Sequence, residues 1–204
     1  MIVKICGVRR PEDAAAAARA GADWIGINLW RGSRRYCDPA AAKRVAAAAR
    51  AAGSVHVVGV FVNATAADIA RAVADIGLDR VQLHGDETPA FCAALPHPWL
   101  KAIALSGDDA LARLRAYGGD LALVDTPTAG YGGSGRTGDW SLAARAAAIR
   151  RVLLAGGLTP DNVAAAIRAV RPHGVDVAGG VEREPGVKDP AAMAAFVRAA
   201  RSAL

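Results

Sequence analysis

Short apolar runs and helix-forming stretches alternate along this chain without a break. The apolar runs fall at residues 2–6, 23–29, 55–62, 80–83, 99–103, 120–124, 152–155 and 175–180. Such runs have the length and β-branched content of strands buried on both faces. Strict strand–helix alternation implies a parallel sheet joined by right-handed crossovers. Eight units in 204 residues is about 25 per unit, enough to close a compact (β/α)8 TIM barrel as one α/β domain spanning residues 1–204. The alternative is an open doubly wound sheet, which has five or six strands and a phosphate fingerprint after the first. Here the first run ends in Cys6-Gly7-Val8, and the paired glycines come last.

The helix starts are legible from their caps. Pro11 opens the first helix, which stops at Gly21, and Asp38-Pro39 opens the second, which ends at Gly53. Asn63 or Thr65 starts the third, through Ile76-Gly77. The fourth runs from about Thr88 to Leu95, the fifth lies near Asp109 to Tyr117, and the sixth starts at Asp139-Trp140-Ser141. Thr159 as N-cap and Pro160 at the first helical position predict the seventh, and Asp189-Pro190 the last. A polar turn covers residues 31–36. A loop at 126–138 carries five glycines and reads as a lid over the end of the sixth strand.

Composition narrows the function. No run approaches the ~18 apolar residues of a membrane span, and Met1 leads straight into a strand pattern without a signal-peptide layout. Three widely spaced cysteines, Cys6, Cys37 and Cys92, form no disulfide framework or metal-spaced cluster, and they suit a reducing, cytoplasmic setting. The net charge of +6 comes mostly from arginines on alanine-rich helices, without the aromatic–basic interleaving of a nucleic-acid binder. The positive field suits an anionic small molecule.

Val152 to Asn162 carries the strongest local signal. An apolar strand runs into Gly156-Gly157 and then into a helix start, so bare amides and a helix dipole converge on one spot. Alone, this is also an ordinary strand-to-helix turn. A second such stretch follows at Val175-Asp176-Val177-Ala178-Gly179-Gly180. Two adjacent glycine-ended strands near the C-terminus are where a parallel barrel holds a phosphate. The other strand ends offer the Cys6 thiol, the Arg34-Arg35 turn, His84, Asp125 and Asp176. Without a nucleotide fingerprint or metal-ligand spacing, this set points to cofactor-free acid–base chemistry on a phosphorylated small molecule carrying a second anion.

Lys4-Ile5-Cys6-Gly7, Val58-Gly59-Val60-Phe61-Val62-Asn63, Val81-Gln82-Leu83-His84-Gly85, Val124-Asp125, Leu154-Ala155-Gly156-Gly157-Leu158, Val175-Asp176-Val177 with Gly180-Val181-Glu182, and Pro185-Gly186-Val187-Lys188-Asp189 together resemble the phosphoribosylanthranilate isomerase family of tryptophan biosynthesis. The matches run in order from residue 4 to residue 189. The resemblance implies an aldose–ketose isomerase that performs an Amadori rearrangement on a phosphorylated small molecule without a cofactor; the sequence leaves monomer and homodimer both open.

By that resemblance Cys6 is the general base and Asp125 the general acid. A thiol serves as a base once a cationic setting lowers its pKa, and a carboxyl donates a proton when burial raises it. The bland alternatives are a buried apolar cysteine and a turn-capping aspartate. Arg35 matches the family's arginine for the anthranilate carboxylate, whose shape suits the planar fork. The turn here reads Ser33-Arg34-Arg35 without the family's proline, so Arg34 could take that role. His84 and Asp176 match positions near the substrate, with an orienting histidine and a turn aspartate as alternatives. Gly156, Gly157, Gly179 and Gly180 match the phosphate site. Ala178-Gly179 replaces two serines usual in the family, which leaves more of the grip to backbone N–H groups. Trp30 lines the aromatic pocket or packs elsewhere, and Cys37 and Cys92 read as non-catalytic. The competing readings are the histidine-pathway isomerase, which resembles two half-barrels with two carboxylates, and a catalytically silent phosphate-binding barrel.

Overall fold

A computed structural model describes residues 1–107, 109–125 and 140–203. The strands are β1 (Ile2–Cys6), β2 (Trp24–Asn28), β3 (His56–Phe61), β4 (Arg80–Leu83), β5 (Trp99–Ala104), β6 (Ala122–Asp125), β7 (Val152–Leu154) and β8 (Gly174–Val177). They pair in sequence order, all parallel, and β8 returns to β1 to close the barrel. The helices are α1 (Pro11–Arg19), α2 (Pro39–Ala52), α3 (Ala66–Ile76), α4 (Pro89–Ala93), α5 (Ala110–Ala116), α6 (Trp140–Ile149), α7 (Val163–Val170) and α8 (Pro190–Arg201). The predicted lid at 126–138 lies outside the described residues, as does Asp139. Among the described residues, no helix is long and apolar enough to cross a membrane.

The caps act as their chemistry dictates. Asp38 accepts from the Ala41 N–H, Thr65 from Asp68, Thr88 from Phe91, and Asp189 from Ala191 and Ala192. Gly77 ends α3 at φ 74°, a left-handed conformation that glycine adopts without cost. One start differs from the sequence reading. α7 begins at Val163, not at Thr159-Pro160. The Thr159 N–H is taken by Asn162 Oδ1 at 2.8 Å, and the Asn162 amide reaches back to the Gly157 carbonyl at 2.9 Å. This asparagine clamp holds 160–162 in a turn and delays the helix by three residues.

β8 is also shorter than the apolar run predicts. It stops at Val177, and Gly179–Val181 form one 3-10 turn. A two-stranded antiparallel hairpin follows, β9 (Glu182–Glu184) and β10 (Val187–Lys188), which the sequence pattern does not announce. Its strands are too short for a period-2 signal.

Among the described residues, two apolar clusters hold the fold. The larger lies between strands and helices, where α1 and α2 bury Ala14, Ala17, Ala42, Ala46 and Ala49. Alanines let these helices pack closely on their neighbours. The smaller fills the barrel: Trp24, Val58, Leu100, Ala102, Leu121, Leu123, Leu153 and Ala155. A fully buried leucine there, such as Leu153, contributes about 2 kcal/mol. The Arg80 guanidinium lies over the Trp24 ring at 5.1 Å. Towards the strand C-termini the inward positions turn polar.

Candidate active site

Side chains alternate along a strand, so Cys6 points to the same side as Lys4. The same parity brings Asn28, Val60, Gln82, Asp125, Ala155 and Asp176 to a cavity of about 490 Å³ at the strand C-terminal ends. Cys6 and Asp125 line this one cavity from β1 and β6, with β7 and β8 between them on the shorter way round. His84, Trp30, Arg34, Arg35 and all four predicted phosphate glycines also line it. All the residues that the sequence assigns to the site therefore converge.

Beneath the cavity lies a buried ion pair. Lys4 is fully buried, and its Nζ stands 2.8 Å from Asp176 Oδ1 on the directly paired position of β8. Burial opposes the ammonium charge, but Asp176 and Cys6 outweigh it and hold the Lys4 pKa above its ordinary value. Burial outweighs the cations at Cys6 and holds its thiol pKa above the ordinary value, not below it as a cationic setting alone would; Lys4 opposes the rise, Asp176 adds to it, and Lys188 gives a smaller opposing effect.

His84 and Asp125 form the second pair, with Nε2 and Oδ2 3.7 Å apart. Burial pushes the His84 pKa down to about 4, helped by the charges of Lys4 and Lys101. His84 is therefore neutral at pH 7 and adds no positive charge beside Asp125. Gln82 Nε2 lies 2.8 Å from His84 Nδ1. With the amide nitrogen donating there, the imidazole carries its proton on Nε2, the nitrogen facing Asp125. Lys101 anchors the loop behind His84, donating to the carbonyls of Leu83 and Gly85 and pairing with Glu87 at 3.1 Å.

Arg35 enters from the turn after β2 and is held by both arms of Glu182. Nε and Nη2 each donate to a carboxylate oxygen at 2.7 Å. Lys188 Nζ shares Glu182 Oε1 at 2.9 Å and also donates to the Ala178 carbonyl at 2.9 Å. Burial works against the Glu182 charge, yet Arg35 and Lys188 keep its pKa below the ordinary value. Burial likewise lowers the Lys188 pKa, and Glu182 only partly restores it. Arg34 is exposed, whereas Arg35 is half-buried and fixed.

The glycine corner has two different constructions. Gly156 and Gly157 adopt φ 90° and 64°, where a side chain is strained. Gly179 and Gly180 do not have positive φ. Gly180 instead lies directly against the Leu158 carbonyl, so any Cβ there would collide with backbone. That contact joins the two phosphate turns. A Cβ at Gly179 would meet only Arg35 Nη2, at 3.3 Å. Although neither turn contains a Lys or Arg, Arg35 and Lys188 therefore bring cations to the second turn from elsewhere in the chain. Trp30 packs over Gly32 at the rim, where a Cβ would collide with its ring.

Sequence reasoning singled out the strand ends and passed over Lys4, Gln82, Glu182 and Lys188 as no more than parts of matching stretches. A signal was available for two of them. A parallel barrel strand has no solvated face, so a lysine or glutamine inside Ile2–Cys6 or Arg80–Leu83 needs a buried polar partner.

Comparison with known proteins accords with this geometry. Residues 3–199 match the family model described as N-(5'phosphoribosyl)anthranilate (PRA) isomerase. An N-(5'-phosphoribosyl)anthranilate isomerase of Myxococcus xanthus is 49% identical over 98% of this chain and 96% of its own length. One from Pseudomonas putida is 45% identical over 98% and 97%. The crystal structure of phosphoribosyl anthranilate isomerase from Thermotoga maritima superposes with a TM-score of 0.90 at 38% identity, covering 99% of this chain and all of that one. Another, solved in complex with reduced 1-(o-carboxyphenylamino)-1-deoxyribulose 5-phosphate, gives a TM-score of 0.86 at 35% identity with 99% and 100% coverage. With a match along nearly its whole length and the same barrel, the chain belongs to the N-(5'-phosphoribosyl)anthranilate isomerase family.

Proposed function

We propose that this enzyme converts N-(5-phosphoribosyl)anthranilate to 1-(2-carboxyphenylamino)-1-deoxyribulose 5-phosphate in tryptophan biosynthesis. The observation that carries this reading is the meeting of Cys6 and Asp125 in one cavity that also reaches the paired glycines and Arg35. Asp125 donates a proton to the furanose ring oxygen. The C1–O bond breaks, and the nitrogen lone pair forms the C1=N iminium. Cys6, as thiolate, removes the C2 proton, and that electron pair moves to form the C1=C2 enolamine. Return of a proton to C1 and loss of one from the C2 hydroxyl give the ketone, so no net oxidation occurs and no redox cofactor is required.

The phosphate sits on the N–H groups around Gly156, Gly157, Gly179 and Gly180. Arg35, rather than Arg34, receives the anthranilate carboxylate, because Glu182 already fixes its plane beside the cavity. Asp176 and His84 bound the sugar. Buried free thiols at Cys37 and Cys92 support a reducing cytoplasmic setting. A dimeric relative from Thermotoga maritima supports a homodimer as one association state, with monomer as the other; sedimentation velocity separates them.

A fluorescence assay following loss of phosphoribosylanthranilate tests the reading, with the histidine-pathway aminoribosyl substrate run beside it. Turnover of the first is the expected result. Turnover of the second alone would replace this assignment with the histidine-pathway one, and turnover of neither would leave a silent barrel.

A further inference from the structure

Fully buried lysines need a reason, because an ammonium loses its hydration on burial. Lys101 has one in the loop carbonyls it ties together. Lys188 has one in Glu182 and the Ala178 carbonyl. Lys4 is different. Among the described residues its carboxylate partner is Asp176, at 2.8 Å, and its ammonium and the Cys6 thiol lie near enough for their charges to act on each other. Both side chains leave the same face of β1, two residues apart, with Lys4 on the floor below Cys6.

We propose that Lys4 is a positioning residue that stabilises Cys6 as its thiolate, and that Asp176 steadies the ammonium while tempering its effect. The inference rests on the reading of Cys6 as the base. An ammonium has three donors, so the Asp176 contact leaves others for sulfur. Among the described residues, the charged groups acting on Cys6 include Lys4 on β1, Asp176 on β8, Lys188 on β10 and Arg35 in the turn after β2. Arg35 and Lys188 both bond to Glu182, which offsets their charge. Among the described cations, Lys4 acts most strongly on the sulfur. Its charge favours the thiolate, and that of Asp176 favours the thiol. Neutralising the two residues must therefore move the thiol in opposite directions, a pattern that a purely structural ion pair does not predict.

The test reads the thiol itself. Iodoacetamide alkylation of Cys6 is followed against pH by mass spectrometry of the Cys6 peptide. Lys4→Met should raise the midpoint by about one pH unit and slow alkylation at neutral pH about tenfold. Asp176→Asn should lower the midpoint. Should Lys4→Met fail to fold with Asp176 left unpaired, Lys4→Met/Asp176→Asn removes both charges at similar volume; its midpoint should lie above that of Asp176→Asn alone. The kcat of Lys4→Met should recover as pH rises. An unmoved midpoint in folded Lys4→Met, or equal midpoints in the double variant and Asp176→Asn, would overturn the proposal. Because alkylation requires no turnover, that failure is distinct from failure of the base assignment, which activity in Cys6→Ser would expose.

Discussion

Gly26 makes room for Cys6. The two are paired across β1 and β2, and a Cβ on Gly26 would stand 2.6 Å from Cys6 Sγ. Neither atom could stay where it is. The neighbouring strand has thus surrendered a side chain at the position beside the proposed base. Gly26→Ala should fold, because its φ is not positive and one methyl is added. It should lower kcat about tenfold or more by displacing the thiol, as misplacing a catalytic group by about 1 Å does. Steady-state kinetics beside a melting curve checks this; unchanged kcat in a folded variant would mean the thiol position is unimportant.

The Arg35–Glu182 fork gives a second prediction. Glu182→Gln releases Arg35 from its two-point hold and leaves Arg35 and Lys188 facing each other without their shared anion. KM should rise about tenfold while kcat falls less, since a looser arginine weakens binding more than chemistry. Stability should drop by about 1–3 kcal/mol, the cost of a buried charge losing its partner. Urea unfolding and a KM measurement together test both parts. A KM equal to wild type would remove the carboxylate role from Arg35.

The phosphate corner separates two kinds of glycine. Gly157 lies at φ 64°, so Gly157→Ala should lose about 1 kcal/mol of stability. Gly179 has an ordinary φ and faces Arg35, so Gly179→Val should fold yet raise KM strongly by filling the phosphate space. Sulfate should inhibit competitively and, in a soaked crystal, lie against these turns. An ion found elsewhere with this corner empty would move the phosphate site.

The histidine beside Asp125 predicts a pH dependence. The His84 pKa is pushed down from 6.5 to about 4 in the folded chain, so between these values the unfolded state binds more protons. Stability therefore rises with pH across this window; the full contribution is present above 6.5 and is lost as pH falls towards 4. The size is on the order of 3 kcal/mol. Urea unfolding at several pH values should show this slope in wild type and a flatter one in His84→Asn. Equal slopes would assign the dependence to other groups.

The barrel and its closure were legible because eight apolar runs alternate with capped helices, and because Asp38, Thr65, Thr88 and Asp189 cap as their side chains dictate. The cavity lining was legible at strand ends: Cys6, His84, Asp125 and Asp176 were candidates by position, while their proposed roles come from the family resemblance. The start of α7 was not, because the Asn162 clamp on Thr159 and Gly157 depends on a loop conformation that no cap rule encodes. The hairpin of β9 and β10 was hidden by its two- and three-residue strands. The hold of Glu182 on Arg35 spans 147 residues of sequence and exists only once the barrel has closed.

Cys6 and Asp125 are proposed as the base and the acid of one isomerisation. Steady-state turnover of phosphoribosylanthranilate by Cys6→Ser and by Asp125→Asn tests this most directly. Each should lower kcat by roughly 10²–10⁴-fold with a much smaller change in KM, as removal of a positioned acid or base does. Near wild-type turnover in Cys6→Ser would contradict the account.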